Sequence, residues 1–145
     1  MAKIMDQFQF WQRWFKALSI IIVIFGVFMA LFNQSAIFSF FNQQIDPVFW
    51  GSAFHPGEYT KFQGWIYGVL GATMAGWGLM LLFVVQYPFR LREKWAWQSI
   101  AISLGFWYVL DTGISLYFGV IFNTVFNTLL LLAVIPPLIA TKKHF

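Results

Sequence analysis

Four long stretches with almost no charged residues constrain the fold more than any other feature of this chain. Three of them carry no charge, and the fourth carries only Asp111. A helix that crosses a hydrocarbon core about 30 Å thick needs roughly 20 apolar residues. Lipid cannot satisfy backbone N–H and C=O groups, so such segments form helices. The sequence therefore predicts an all-α, integral membrane four-helix bundle that forms a single transmembrane domain. The expected spans are about 14–34, 64–86, 96–118 and 119–141.

The composition agrees with a membrane location. Only 10% of the 145 residues are charged, whereas soluble domains average about 25%. These charges are too few to cover a water-facing surface, which excludes an ordinary soluble globule and a disordered tail. The chain has no cysteine, so disulfides, thiolate metal sites and thiol nucleophiles are excluded as well.

The basic residues predict the orientation of the bundle. With four spans, the N-terminal segment, the second connection and the C-terminal tail lie on one side. That side carries eight of the nine Lys and Arg residues, and only Lys61 lies on the other. The positive-inside rule assigns the basic side to the cytoplasm, so both termini are expected there. The eight residues are Lys3, Arg13, Lys16, Arg90, Arg92, Lys94, Lys142 and Lys143.

The remaining charge pattern bears on location and partners. No basic stripe exists outside these flanks, so nucleic-acid binding is not expected. We expect the bacterial inner (plasma) membrane. The endoplasmic reticulum is the alternative, because the last four residues, 142–145, are similar to a dilysine retrieval signal.

The segment before the first span has an amphipathic pattern. At about 100° per residue, Gln9, Gln12, Arg13 and Lys16 fall in one sector, and apolar side chains, most of them aromatic, fill the rest. This pattern predicts an N-terminal interfacial helix over about residues 6–16. The alternative interpretation is that these residues are only the cytoplasmic end of the first span.

The connection between the first two spans is long and rich in aromatic residues. It is predicted as an outer loop over about residues 35–62 and contains eight aromatic side chains. Such a segment cannot be a solvated coil, so we expect it to lie on the bilayer surface or to cap the bundle. Pro47 and Pro56-Gly57 are expected to divide it into short pieces.

Small residues recur along the second span with strict four-residue spacing. Gly64, Gly68, Ala72 and Gly76 follow the small-xxx-small pattern, which lets two helix backbones approach closely. The pattern predicts tight helix packing, either within the chain or with another subunit.

Asp111 is the one charge-capable residue deep in a span, and the fourth span supplies polar partners for it. Asp111 lies eight residues before Gly119, and Asn127 lies eight residues after it. At 1.5 Å per residue, both lie about 12 Å below the hairpin, so we predict that they hydrogen-bond or share a ligand polar group. By the same reasoning Ser115 and Asn123 form the next layer outward.

Two interpretations of this polar cluster remain open. In one, it fixes the register of the hairpin through interhelical hydrogen bonds. In the other, it forms the floor of a pocket or ion path roofed by the aromatic loop, because ionisable residues inside a membrane often serve function. The candidate ligand-binding residues are Asp111, Asn127, Asn123, Tyr108, Ser115, Trp107 and Tyr67, with Trp65 as a further lining residue.

The leading functional hypothesis is a small helix-packing or accessory subunit of a homo-oligomer or larger membrane complex. Its expected partners are membrane lipids and other transmembrane helices. The alternative is a binding or transport protein for a small hydrophobic or weakly polar ligand that uses the Asp and Asn cluster. We do not expect an enzyme; a lipid-modifying one would have to use Asp111, His55 and Glu58. No cofactor or metal is expected, and the two histidines, His55 and His144, lie outside the spans, which excludes bis-His haem in the bundle.

Overall fold

The computed structural model describes residues 7–51 and 58–145 as a helical bundle, with no strand in these ranges. Four helices are long and apolar enough to cross a membrane, which confirms the all-α prediction and the number of candidate spans. They are α1 (Gln7–Phe32), α3 (Glu58–Gln86), α4 (Lys94–Tyr117) and α5 (Ile121–Thr141). A shorter helix, α2 (Ser39–Trp50), follows α1, and a 3-10 turn (Lys142–His144) follows α5.

The first helix is longer than the first predicted span. α1 begins at Gln7 and runs without a break to Phe32. The expected interfacial segment and the first span are therefore one continuous helix, and no separate helix precedes the span within the described ranges. Whether its first turns lie at a membrane surface stays a prediction.

Much of the predicted outer loop is helical where the structure describes it, which corrects the expectation of a loop over about residues 35–62. α2 occupies twelve of these residues, and Pro47, which was expected to divide the segment, lies inside it. The helix ends just after, because Gly51 takes a positive φ of 55° that few other residues adopt. Pro56 and Gly57 lie outside the described residues.

α2 covers one end of the bundle through its aromatic side chains. The Phe41 ring lies 5.6 Å from that of Phe25 in α1 and 5.7 Å from that of Phe122 in α5, between ring centroids. Phe38, just before α2, is buried and packs against Tyr67 of α3. The expectation that this segment caps the bundle is therefore confirmed, and its placement on the bilayer surface stays a prediction.

α1 and α3 form the closest helix pair in the structure. A methyl group on Gly71 would lie 2.5 Å from the backbone nitrogen of Ala30 and 2.6 Å from the carbonyl oxygen of Gly26. Only glycine therefore allows the two backbones to approach this closely.

The predicted row of small residues is only partly correct for this contact. Gly68 faces α1 and Gly64 faces Asn33 and Gln34 just after it. Ala72 and Gly76 are exposed, and no described atom outside its own helix turn lies within 4 Å of a Cβ built on Gly76. The reason is that a four-residue step drifts by about 40° around a helix, so three steps turn the row by about 120°. The contact row instead alternates steps of four and three residues, through Gly64, Gly68, Gly71, Ala75 and Gly78.

α4 and α5 form the tight helical hairpin that the sequence predicts. The N–H of Val120 donates to the carbonyl of Ser115, and the N–H of Gly119 donates to that of Leu116. Gly119 has a φ of +75°. These two bonds and the left-handed glycine form a Schellman motif, which ends α4 and reverses the chain.

The end of the bundle opposite α2 holds a compact aromatic core. The Phe89 ring is fully buried and lies 5.6 Å from Phe8, 5.4 Å from Phe15 and 4.9 Å from Phe145, between centroids. Nearby, Pro137 has no N–H, so it leaves the carbonyl of Ala133 without its helical donor. The indole Nε1–H of Trp14 donates to that carbonyl at 2.9 Å. We call this region the closed end.

Candidate functional site

A cavity of about 620 Å³ occupies the other half of the bundle, beneath α2. It lies between the α1–α3 pair and the α4–α5 hairpin. The two pairs are joined where α1 contacts α5, whereas α3 and α4 hardly touch and leave a space between them. All five helices contribute to its wall. We call this region the cavity end.

Regular helix stripes build the wall. α1 contributes Leu18, Ile22, Phe25 and Met29, which are spaced four, three and four residues apart and so share one face of the helix. The stripe spans eleven residue steps, or about 16 Å along the axis. Most of the wall is apolar, so the polar residues on it stand out.

Asp111 is the centre of a polar cluster on this wall. Its Oδ1 accepts a hydrogen bond from Asn123 Nδ2 at 2.6 Å and one from Asn127 Nδ2 at 2.8 Å. The Ser115 hydroxyl lies 3.4 Å from the same oxygen. The predicted contact between Asp111 and Asn127 is therefore confirmed, and it ties α4 to α5.

The second predicted layer is also present. Asn123 Nδ2 donates to Ser115 Oγ at 2.8 Å, while the Ser115 hydroxyl donates to the backbone carbonyl of Asp111 at 2.7 Å. Asn127 Nδ2 additionally lies 3.4 Å from Thr112 Oγ1. Equal distances from Gly119 thus predicted both layers correctly, because the hairpin turn is tight and both helices are regular.

The amide and hydroxyl hydrogen-bond donors of the cluster bond within it, whereas some of its acceptors receive no hydrogen bond from the described residues. Each Nδ2 of Asn123 and Asn127 contacts two acceptors, and the Ser115 hydroxyl is also engaged. Within the described part of the chain, no donor bonds to Asp111 Oδ2 or to the Oδ1 atoms of the two asparagines. Asn127 lines the cavity although only 2% of it is exposed. A group that complements this cluster must therefore supply hydrogen-bond donors.

Six of the seven predicted ligand-binding residues line the cavity, and Tyr108 does not. The six are Asp111, Asn127, Asn123, Ser115, Trp107 and Tyr67. The Tyr108 hydroxyl lies 3.3 Å from Thr128 Oγ1 instead. Tyr108 is about 60° around α4 from Asp111, which turns it toward α5 and away from the cavity. Trp65, the further lining residue expected, is 64% exposed and points away from the bundle.

The sequence interpretation missed much of the aromatic wall. Trp77 lines the cavity, and its ring centroid lies 6.0 Å from that of Trp107 across the gap between α3 and α4. Steps of three, four and three residues from Tyr67 lead to Trp77, so the same alternating period that describes the glycine row could have found it. Phe41 and Phe49 of α2 complete the roof.

The cavity is open on the side between α3 and α4. The lining residues there are exposed, with Leu70 at 48% on α3 and Ile114 at 59% on α4. Thr73 and Ser103, which also line the cavity, are exposed on the same two helices. Because both helices are long and apolar enough to cross a membrane, the opening faces the region that lipid would occupy.

A second set of polar contacts links the roof to α3. Gln63 Nε2 donates to Asp46 Oδ1 at 2.6 Å and to the Tyr67 hydroxyl at 3.2 Å. These bonds fasten α2 to α3 above the cavity.

Of the residues considered for enzymatic chemistry, Asp111 belongs to the polar cluster. His55 lies outside the described residues, and Glu58 is the first residue of α3. Over the ranges 7–51 and 58–145, no three His, Cys, Asp or Glu residues are grouped so that they could hold a metal ion.

Comparison with known proteins adds no assignment. The chain matches no family model, no curated protein and no solved structure.

Proposed function

We propose that this protein binds a small, mostly apolar ligand inside the membrane. The observation that carries the proposal is the 620 Å³ cavity with one polar cluster on a mostly apolar wall. Ligand sites in proteins have this character: they measure about 300–1,000 Å³ and hold a few well-placed polar groups. The alternative function that we drew from the sequence is therefore favoured over an accessory subunit.

The size of the cavity limits the ligand. A volume of about 620 Å³ equals that of roughly 20 water molecules in the liquid, so a ligand of up to roughly 20 non-hydrogen atoms fits. A single-chain amphiphile has this size, whereas a two-chain phospholipid would extend out through the opening between α3 and α4. The gap between α3 and α4 would admit such a molecule directly from the bilayer.

The polar cluster serves this function in addition to holding the hairpin. Hydrogen bonds from the two asparagines to Asp111 fix the register of α4 and α5. Asp111, Asn123 and Asn127 also line the cavity. The two interpretations of the cluster are therefore compatible.

A subunit role is the second candidate, and one observation favours it. Ala72 and Gly76 form a small, exposed patch on the side of α3 that does not contact α1. Such a patch suits close approach by another transmembrane helix. Native gel migration of mild-detergent extracts tests this role: a larger species that Ala72→Leu reduces to a monomer supports it, and a monomer throughout contradicts it.

We further propose that the closed end faces the cytoplasm, in a bacterial inner membrane. Lys143 Nζ donates to Gln7 Oε1 at 3.2 Å, so the two terminal regions lie together. They meet the second connection at Phe89, and this end carries the predicted excess of basic residues. The positive-inside rule supports this orientation. Cysteine labelling from each side of the membrane tests it.

Photolabelling tests the binding function. The purified protein in dodecyl maltoside is irradiated with a twelve-carbon alcohol that carries a diazirine, and labelled residues are mapped by mass spectrometry. We expect saturable labelling of cavity residues such as Met74 and Leu131. Thr73→Phe, which narrows the opening, should reduce this labelling, whereas Ala72→Phe on the neighbouring exposed position should not. Labelling confined to outer residues such as Leu129, and unaffected by Thr73→Phe, would contradict the proposal.

A further inference from the structure

The charged residues on the cavity wall restrict the head group of the ligand. Asp111 carries the only carboxylate among the described lining residues, and none of these residues is Lys, Arg or His. A carboxylate in an apolar surrounding is stabilised most by a cation, and an anion here would meet no positive charge. The electrostatics of the cavity therefore favour a positively charged head group.

The hydrogen-bonding pattern restricts it in the same direction. The amide and hydroxyl donors of Asn123, Asn127 and Ser115 are already bonded within the cluster. Asp111 Oδ2 and the two asparagine Oδ1 atoms have no donor within the described ranges. Three unused acceptors near one another fit a group with several N–H donors, and an ammonium group has no acceptor that would be left unpaired.

The aromatic wall provides a third, independent argument. Ten of the lining side chains are aromatic, among them Trp107, one helical turn from Asp111, and Trp77, whose ring lies 6.0 Å from that of Trp107. The faces of aromatic rings attract cations, and Trp does so most strongly. Combining aromatic rings with one carboxylate is how proteins recognise amines and quaternary ammonium groups without a metal.

We propose that the ligand is a cationic single-chain amphiphile, whose protonated amine binds at Asp111 and whose apolar chain fills the rest of the cavity. This inference rests on the proposed binding function and names the chemical class of the ligand. The chain enters through the gap between α3 and α4, and the head group reaches the carboxylate about 12 Å below the hairpin.

Competition against the diazirine alcohol in dodecyl maltoside tests the proposal. The competitors are dodecylammonium, dodecanol and dodecanoate, which share one chain and differ in head group. For the native protein, we expect dodecylammonium to compete at about tenfold lower concentration than dodecanol, and dodecanoate to compete least. Asp111→Asn should remove the preference for ammonium while dodecanol still competes, and Glu93→Gln, which removes a carboxylate outside the cavity, should change nothing.

Each outcome of this experiment is decisive. If the alcohol and the ammonium compete equally in the native protein, or if Asp111→Asn keeps the ammonium preference, the cationic head group is wrong although the binding function stands. If labelling of the cavity does not saturate, both proposals fail. Should Asp111→Asn fail to fold, Trp107→Leu is the deciding variant. It should weaken the competition by dodecylammonium about fivefold and that by dodecanol by less than about twofold. Equal weakening of both would contradict the proposal.

Discussion

The two ends of the bundle are built from similar residues but packed very differently. At the closed end, Phe89 is fully buried between Phe8, Phe15 and Phe145. At the cavity end, phenylalanines from α1, α2 and α5 form a wall around an open volume of about 620 Å³. The abundance of aromatic residues therefore does not decide whether a region is filled. The distance between the helices decides whether a region is filled, because side chains can fill only the gap that the backbones leave.

The glycine row accounts for this difference in spacing. Gly26 and Gly71 let α1 and α3 approach until their backbones touch. α3 is thereby held on α1, and the paired Trp77 and Trp107 occupy the wider gap to α4. At the closed end the chain fills the corresponding space with Phe89 and the C-terminal Phe145. At the cavity end, no described residue does so.

The largest expected effect is on the closed end. Phe89→Ala removes a fully buried ring and should lower the free energy of unfolding by about 3 kcal/mol. Phe126→Ala, which only enlarges the existing cavity, should cost about 1 kcal/mol. Unfolding by SDS in mixed micelles, followed by circular dichroism, measures both. Equal losses would mean that the two ends do not differ in packing.

The next largest effect tests the cause that we assign to the cavity. Gly71→Ala places a methyl group 2.5 Å from the backbone of Ala30, so it should destabilise the protein by about 2 kcal/mol. Gly76→Ala meets no described atom within 4 Å and should change stability by less than about 0.5 kcal/mol. The same SDS titration distinguishes them. A larger loss of stability for Gly76→Ala than for Gly71→Ala would mean that the row with strict four-residue spacing, which contains Gly76, is the packing face.

A smaller effect is expected from the polar cluster. Asn127→Leu removes its hydrogen bonds to Asp111 and Thr112, each of which contributes about 0.6 kcal/mol in a membrane. The total loss should therefore be about 1 kcal/mol, whereas Val125→Leu on the exposed face should have no measurable effect. A loss several times larger would make the cluster primarily structural and would weaken the case for a binding site.

The smallest effect concerns the polar contact at the closed end. Trp14→Phe removes the donor to the Ala133 carbonyl and should cost about 0.6 kcal/mol. Trp65→Phe, at an exposed position with no such bond, is the matched control. If the two variants are equally stable, the carbonyl left free by Pro137 does not need this partner.

The sequence predicted those features that depend on one helix or on one hairpin. Hydrophobic length defined the four spans, and equal distances from Gly119 paired Asp111 with Asn127 and Ser115 with Asn123. It did not predict α2, because Pro47 is compatible with a short helix whose stability comes from packing on Phe25 and Phe122. Nor did it predict the cavity, which is present because the glycine row packs α3 against α1 and not against α4. That choice is a property of the assembled bundle and not of any one segment.

The most direct test of the binding function is a crystal structure grown from a lipidic mesophase, with the protein purified in the presence of dodecylammonium. The account predicts elongated non-protein density in the cavity, with its head within hydrogen-bond distance of Asp111 and its chain running toward Trp77. A bundle in which α3 packs directly against α4 and leaves no space beside Asp111 would contradict it.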